Sequence, residues 1–330
     1  MTRATAIRFF VAWAITLAAM SAEGEDVDGT AASAPREAPA RRILEEIIVT
    51  AQKREEAVID VPVSLSVLDE GFLTEQGIAD LQEISSFVPN VNIRLSPVLP
   101  DIRIRGFGTG TTNKAFEQSV GLVVDGVPYN RLSYYGAGLF DLERVEVLRG
   151  PQGTLFGKNT IAGLFNMIPK NPTDEYTGSV DLQYGEIGRR RAEAAVGGPI
   201  VKDVVNFRLA GLVELRDGFV ENTTAAVARD AHDRLQGYDR HQFRGRLRFP
   251  SLFGTSLLLS YDWFRIDAVG LGAELKVIPE KTRPFFREFD PNTDFEPDNF
   301  VASVDHPDGS RTAADTGAAT WSYDLGGWGI

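Results

Sequence analysis

Cysteine is absent from this 330-residue chain, which excludes disulfides, thiol catalysis and cysteine-ligated metal. Histidine is nearly so: His232, His241 and His306 are the only three, and their spacing forms no metal-ligand pattern. No HExxH, Walker A or GxSxG run occurs, so the usual signatures of metallohydrolase, phosphate-loop and serine-hydrolase chemistry are missing. The sequence assigns no catalytic residue, no metal and no cofactor, and the reading is non-enzymatic. Positive charge is short as well. The net charge of −12 argues against a nucleic-acid partner, which selects a basic face. After residue 24 no apolar run is long enough for a transmembrane helix.

The chain is not poor in core-forming residues. Apolar residues make up 43% and aromatics 10%, which excludes disorder over the whole length. Arg3 and Arg8 precede an apolar run, Phe9 to Met20, that ends at Ser21 and Ala22. That is the pattern of an export signal over 1–22, too short for a span of ~20 residues. With no cysteine after the run, a lipoprotein is excluded. Residues 23–44 are a flexible linker of Ala, Pro, Glu, Asp and Gly. It leads to a β-prone segment, Leu44 to Ala51, followed by the charged run Gln52 to Glu56, with no obvious strand partner nearby. Two readings stand: an edge strand of the next domain, or a strand offered to another protein by β-augmentation.

Residues 60–170 read as a compact α+β unit. Val61 to Leu68 alternates as a strand, and Phe72 to Phe87 has helical spacing, stopped by Pro89-Asn90. The helix is expected over 72–86. Strand-like runs follow at Val91 to Leu95, Ile102 to Phe107 and Val120 to Val127, the last ending at the turn Asp125-Gly126. Leu139 to Leu148 is a charged amphipathic segment, and the glycine-rich path from Arg149 to Thr160 is read as non-helical. Leu164 to Ile168 is the last strand.

From about 175 the texture changes to segments of alternating polarity with short turns. Val180, Leu182 and Tyr184 share one face. Phe207, Leu209, Gly211, Val213 and Leu215 oppose Asn206, Arg208, Ala210, Leu212 and Glu214. Phe243, Leu247 and Phe249 oppose Arg244, Arg246 and Arg248, and Leu257, Leu259, Tyr261 and Trp263 continue the apolar series. A half-buried sheet of a soluble protein also alternates. A charged inner face, an apolar outer face and aromatics near its ends fit a transmembrane β-barrel. The region 268–315 reads as a long loop, and Thr320 to Asp324 as the start of another strand.

The stretch 102–172 carries a family resemblance. Ile104-Arg105-Gly106-Phe107, Val124-Asp125-Gly126-Val127-Pro128, the ordered run Leu142 to Thr160 and Gly163-Leu164-Phe165-Asn166 resemble the plug domain of TonB-dependent outer-membrane receptors. Glu46 to Arg54, within the region 45–54, is similar to their TonB box. Gly198-Pro199 and the strand Asn206 to Arg216 are similar to their first barrel hairpins. The resemblance implies an α+β plug domain followed by an antiparallel transmembrane β-barrel from 175 to 330. It implies location in a Gram-negative outer membrane, with plug and TonB box on the periplasmic side. It implies energised uptake of a scarce or bulky substrate: a ferric siderophore first, cobalamin or a glycan otherwise. The partners implied are outer-membrane lipid, the small-molecule substrate and the C-terminal domain of TonB, which would add its strand to Ile47, Ile48, Val49 and Thr50. The alternative is an outer-membrane binding or adhesion protein without transport.

The resemblance also assigns residues. Arg105 and Arg149 match the arginines that hold the plug to wall glutamates; a solvated or locally paired arginine is the other reading. Those glutamates belong to later strands, so both arginines are expected near each other and without them. Ligand contacts in the family come from outward loops, matched by Arg94, Asn113, Lys114, Tyr134 and Tyr135; ordinary loop residues are the alternative for each. A plugged barrel needs about 22 strands of roughly 9–11 residues each. The length after the plug therefore predicts an incomplete barrel, an open curved sheet of about five or six strands in a fragment.

Overall fold

The computed structural model describes residues 48–50, 53, 56–94, 101–108, 117–129, 131–223, 232–252, 254–270, 278–289, 291, 293–296, 299–302 and 309–323. The export signal, the linker, Ile47, Asn113 and Lys114 lie outside these. The chain divides into two units, up to Val61 and from Pro62. In the first, β1 (Ile48–Val49) pairs antiparallel with β2 (Glu56–Ala57), Ile48 opposite Ala57 and Val49 opposite Glu56. The expectation of no nearby partner is therefore corrected. Lys53 donates its amide to the Thr50 carbonyl at 2.9 Å and takes a positive φ of 61°, which turns the chain back. A 3₁₀ turn, Val58–Asp60, follows.

The second unit opens with an α+β domain. Its elements are β3 (Ser64–Asp69), α1 (Glu70–Glu75), α2 (Leu81–Ile84), β4 (Val91–Arg94), β5 (Asp101–Ile104), β6 (Phe107–Gly108), β7 (Val120–Val124), β8 (Val127–Pro128), β9 (Leu142–Arg149), α3 (Gly153–Phe156) and β10 (Gly163–Pro169). One sheet runs β3-β9-β10-β7-β8, with β7 and β10 parallel and the other pairs antiparallel. A smaller sheet is β4-β5-β6. Ile102 and Ile104 from the small sheet share one core with Val120, Leu122, Val145, Val147 and Phe165 of the large one.

Three readings of this region are corrected. The single helix expected over 72–86 is two short ones. Gly77, at φ +64°, ends the first, and Asp80 starts the second with a capping box: Glu83 N–H to Asp80 Oδ1 at 3.1 Å, Asp80 N–H to Glu83 Oε2 at 3.2 Å. The charged segment 139–148 is mostly strand β9, and the glycine-rich path holds one helical turn, α3. Asp80→Ala removes the side-chain acceptor of the Glu83 amide, leaves the backbone half of the box, and is expected to cost about 1 kcal/mol, measured as a lower urea midpoint.

The rest is a six-stranded antiparallel sheet, the wall. Its strands are β11 (Thr177–Tyr184), β12 (Arg190–Val201), β13 (Val205–Arg216), β16 (Tyr238–Leu252), β17 (Thr255–Val269) and β19 (Gly309–Ser322), side by side in that order. Between them lie β14 (Val220–Asn222), β15 (Arg234–Leu235), α4 (Arg283–Phe289) and β18 (Val301–Ala302). The sheet does not close on itself among the described residues. The strand expected to begin at Thr320 instead starts at Gly309, inside the expected loop. Its side chains are mainly Ala, Thr, Ser, Gly and Asp, so it shows no apolar stripe to read. No described helix is long and apolar enough to cross a membrane.

Candidate functional site

Alternation gives the wall strands before β19 two chemical faces. Val180, Leu182, Tyr184, Phe243, Leu247, Leu259, Tyr261 and Trp321 are exposed on one. Arg191, Arg208, Glu214, Arg240, Gln242, Arg244 and Arg246 are buried on the other. What buries them is the α+β domain. On β16 the positions 240, 242, 244 and 246 follow the strand period of two, which sets three guanidiniums and one amide along one line.

That line grips one stretch of the domain, residues 138–142, and the end of β10. Arg208 Nε meets both oxygens of Asp141, at 3.0 and 2.9 Å. Asp141 N–H donates to Glu193 Oε1 at 2.9 Å. Arg191 Nη2 donates to the Leu139 carbonyl at 2.7 Å and Arg244 Nη1 to the Phe140 carbonyl at 3.2 Å. Arg246 reaches the Lys170 carbonyl at 2.8 Å, the Pro169 carbonyl at 3.1 Å and Asp125 at 2.6 Å. At Gly138 the two bodies come so close that a Cβ would lie 3.0 Å from both Arg240 Nη1 and Leu212 Cδ2. Buried cations are costly unless hydrogen-bonded, and here the domain's carboxylates and carbonyls supply the acceptors. A cavity of about 50 Å³ remains at this boundary, lined among others by Leu122, Tyr129, Tyr134, Phe140, Arg244 and Phe264.

The residues singled out from sequence fall in three places. Ile48 is half exposed, Val49 is fully buried and Thr50 is intermediate, all around the short β1–β2 ladder. Arg105 is exposed in the turn after β5, at φ +54°. Arg149, at the end of β9, donates from Nη1 to the Pro89 carbonyl at 3.2 Å. The two arginines are neighbours: a Cβ on Gly150 would lie 3.8 Å from Arg105 Nη1. Arg94 is exposed at the end of β4. Tyr134 is half-buried, edge-on to Tyr129 at 5.1 Å and to Phe264 of the wall at 5.6 Å.

Tyr135 requires a correction. It is fully buried in the domain core, and its hydroxyl donates to the Val120 carbonyl at 2.6 Å. Burial raises its pKa far above the ordinary phenol value, so it stays neutral. A side chain so placed is not a surface for a ligand. Sequence reasoning also missed the wall arginines as a gripping set, although the spacing Arg240, Arg244, Arg246 was there to be read. It looked for arginines on the domain and acids on the wall; at the described boundary the polarity is largely the reverse.

Comparison with known proteins adds names to this geometry. A family model described as the TonB-dependent receptor plug domain matches residues 57–164. The pesticin receptor of Yersinia pestis is 28% identical over 177 residues, covering 53% of this chain and 26% of its own. The ferrichrome outer membrane transporter/phage receptor of Escherichia coli is 30% identical over 177 residues, covering 51% and 23%. The chain thus spans about a quarter of the length of these curated relatives. Among solved structures, FpvA of Pseudomonas aeruginosa bound to a heterologous pyoverdine superposes with a TM-score of 0.65. It is 18% identical, with 85% of this chain and 34% of that one covered, a likeness of fold.

Proposed function

Because this chain belongs to the TonB-dependent outer-membrane receptors, we propose that it serves energised uptake of a ferric siderophore across the outer membrane. The observation that carries the reading is the docked domain. A plug-family domain sits on the polar face of a β-sheet whose other face is apolar, as a plug sits against the lumen side of a lipid-facing wall. The iron cargo is supported by relatives named for ferrichrome and, in structure, for pyoverdine. Domain limits follow the same reading: a signal at 1–22, a linker at 23–44, the TonB box region at 45–54, the plug at 60–170 and the wall from 175. Short turns such as Lys202–Val204 face the periplasm, and the opposite strand ends, after β13 and β17, face outward, the usual asymmetry of such barrels.

Energy enters at Ile47 to Thr50. The β1–β2 ladder supports this role by its size: two residues a side make a marginal hairpin, from which β1 is readily released to pair with TonB. In this reading Arg105 and Arg149 are the plug anchors, their partners the carboxylates of later wall strands, and Arg94, Asn113, Lys114 and Tyr134 are the ligand contacts. Ile48→Pro deletes the backbone donor of the added strand. Iron-55 uptake from a panel of loaded siderophores is expected to fall to background while binding of the same complexes at the cell surface persists. Normal uptake by the proline variant would defeat the TonB assignment; uptake of cobalamin or an oligosaccharide in place of every iron complex would defeat the cargo.

A further inference from the structure

The two long outward connections are tied to each other. β14, from the first, pairs antiparallel with β15 and parallel with β18, which belongs to the second. Glu221 N–H donates to the Phe300 carbonyl at 2.8 Å and Thr223 N–H to the Ala302 carbonyl at 3.0 Å. Val220, Leu235 and Ala302 bury a small core, and Phe219 stands edge-on to Phe300 at 5.9 Å. This loop sheet rests on Arg216, whose guanidinium lies 5.6 Å from the Phe219 ring and 4.6 Å from the Tyr238 ring. Tyr238 in turn donates its hydroxyl to Glu214 at 2.9 Å.

Glu214 is fully buried on the plug-facing side of β13. Besides Tyr238 it accepts from Arg240 at 2.7 Å, Arg189 at 2.8 Å and Arg191 at 3.4 Å. Two of these cations go on to the plug: Arg191 to the Leu139 carbonyl at 2.7 Å and Arg189 to Glu83 at 3.5 Å. The third, Arg240, is the one that Gly138 packs against. One carboxylate thus orients Arg189, Arg191 and Arg240 at this end of the plug boundary, and contact is continuous from Phe300 to Leu139.

We propose that Glu214 is a positioning residue that couples the outer loop sheet to plug residues 79–83 and 138–141, so that a change in the loops alters how firmly the plug is held. The naming of inside and outside rests on the uptake reading; the coupling does not. The reporter is the Leu139 amide, which donates to the Ala79 carbonyl at 2.9 Å inside the plug. Its hydrogen exchange is measured in the receptor purified from outer membranes, without substrate or TonB. Phe300→Ala, which removes the ring that meets Phe219 in the loop sheet, is expected to speed exchange at Leu139 by about fivefold or more. Tyr238→Phe removes the hydroxyl that reaches Glu214, keeps the ring between Arg216 and Arg240, and is expected to act in the same direction. In the double variant the two effects are expected not to add, since both cut one chain. Glu214→Asp is expected to keep most of the protection that Glu214→Gln loses. Faster exchange at Glu221 with Leu139 unchanged in Phe300→Ala would overturn the proposal, as would full additivity. The assay holds no substrate, so its failure leaves the uptake reading standing, and failure of that reading leaves the coupling standing.

Discussion

Arg208→Ala is expected to destabilise the receptor by about 3–5 kcal/mol, because it strands a buried carboxylate. Asp141 has a side-chain exposure of 1% and holds Arg208, at 8%, through both oxygens. Neither can recover water without undocking the plug. Asp141→Ala is expected to cost a similar amount for the converse reason. The pair Arg208→Met with Asp141→Ala removes both charges and is expected to regain most of the loss, since an apolar replacement of a buried ion pair is often neutral. Urea unfolding of the four proteins in detergent gives the cycle. A double-variant loss equal to the sum of the two single losses would mean that the two residues do not act as a pair in holding the plug.

Tyr135→Ala carries the second large effect, about 3–5 kcal/mol, the usual cost of emptying a buried aromatic site. Tyr135→Phe keeps the ring and loses one hydrogen bond to the Val120 carbonyl, worth about 1 kcal/mol. On the uptake proposal, surface binding of the loaded siderophores is expected to be unchanged in Tyr135→Phe. A loss of binding there without a loss of stability would restore Tyr135 as a ligand contact. The contrast with Tyr134 is a matter of one residue: within the 3₁₀ turn Leu132–Gly136, one ring enters the core while its neighbour turns to Phe264.

Adjacent tyrosines in a loop give no periodicity from which that division could be read, so the sequence offered both. The wall strands were legible because lipid on one side and a polar interior on the other impose opposite chemistries at every second residue. Where the two sides do not differ, the pattern fades. β9 reads as a charged amphipathic segment because Arg144 and Glu146 lie buried within it; Glu146 is held by Asn166 at 2.9 Å and Arg144 at 2.8 Å. β19 was missed over most of its length because small side chains carry little contrast. The split helix was hidden by its own spacing, since Leu73, Ile78, Leu81 and Ile84 fit one continuous face even though Gly77 and Asp80 break it. At the site, the charges of Arg244 and Arg246 were visible but their partners were not, because a backbone carbonyl leaves no trace in the residue code.

The wall's grip on main-chain oxygens bears on how such receptors diversify. Leu139, Phe140, Pro169 and Lys170 are held through atoms that every amino acid possesses. Substitutions at these four positions leave the acceptors in place, although Phe140 is also held by its ring, buried with Ala195, Ala210 and Leu212 and lying under Arg244. A deletion or insertion between Gly138 and Leu142 is different: it shifts the whole row of oxygens out of step with the arginines of β12, β13 and β16. Exchange of plugs between related receptors is accordingly limited by loop length, by the acids at 125 and 141, and by the glycine at 138 and the ring at 140. Lineages of this wall can acquire new plugs by recombination as long as the spacing is kept.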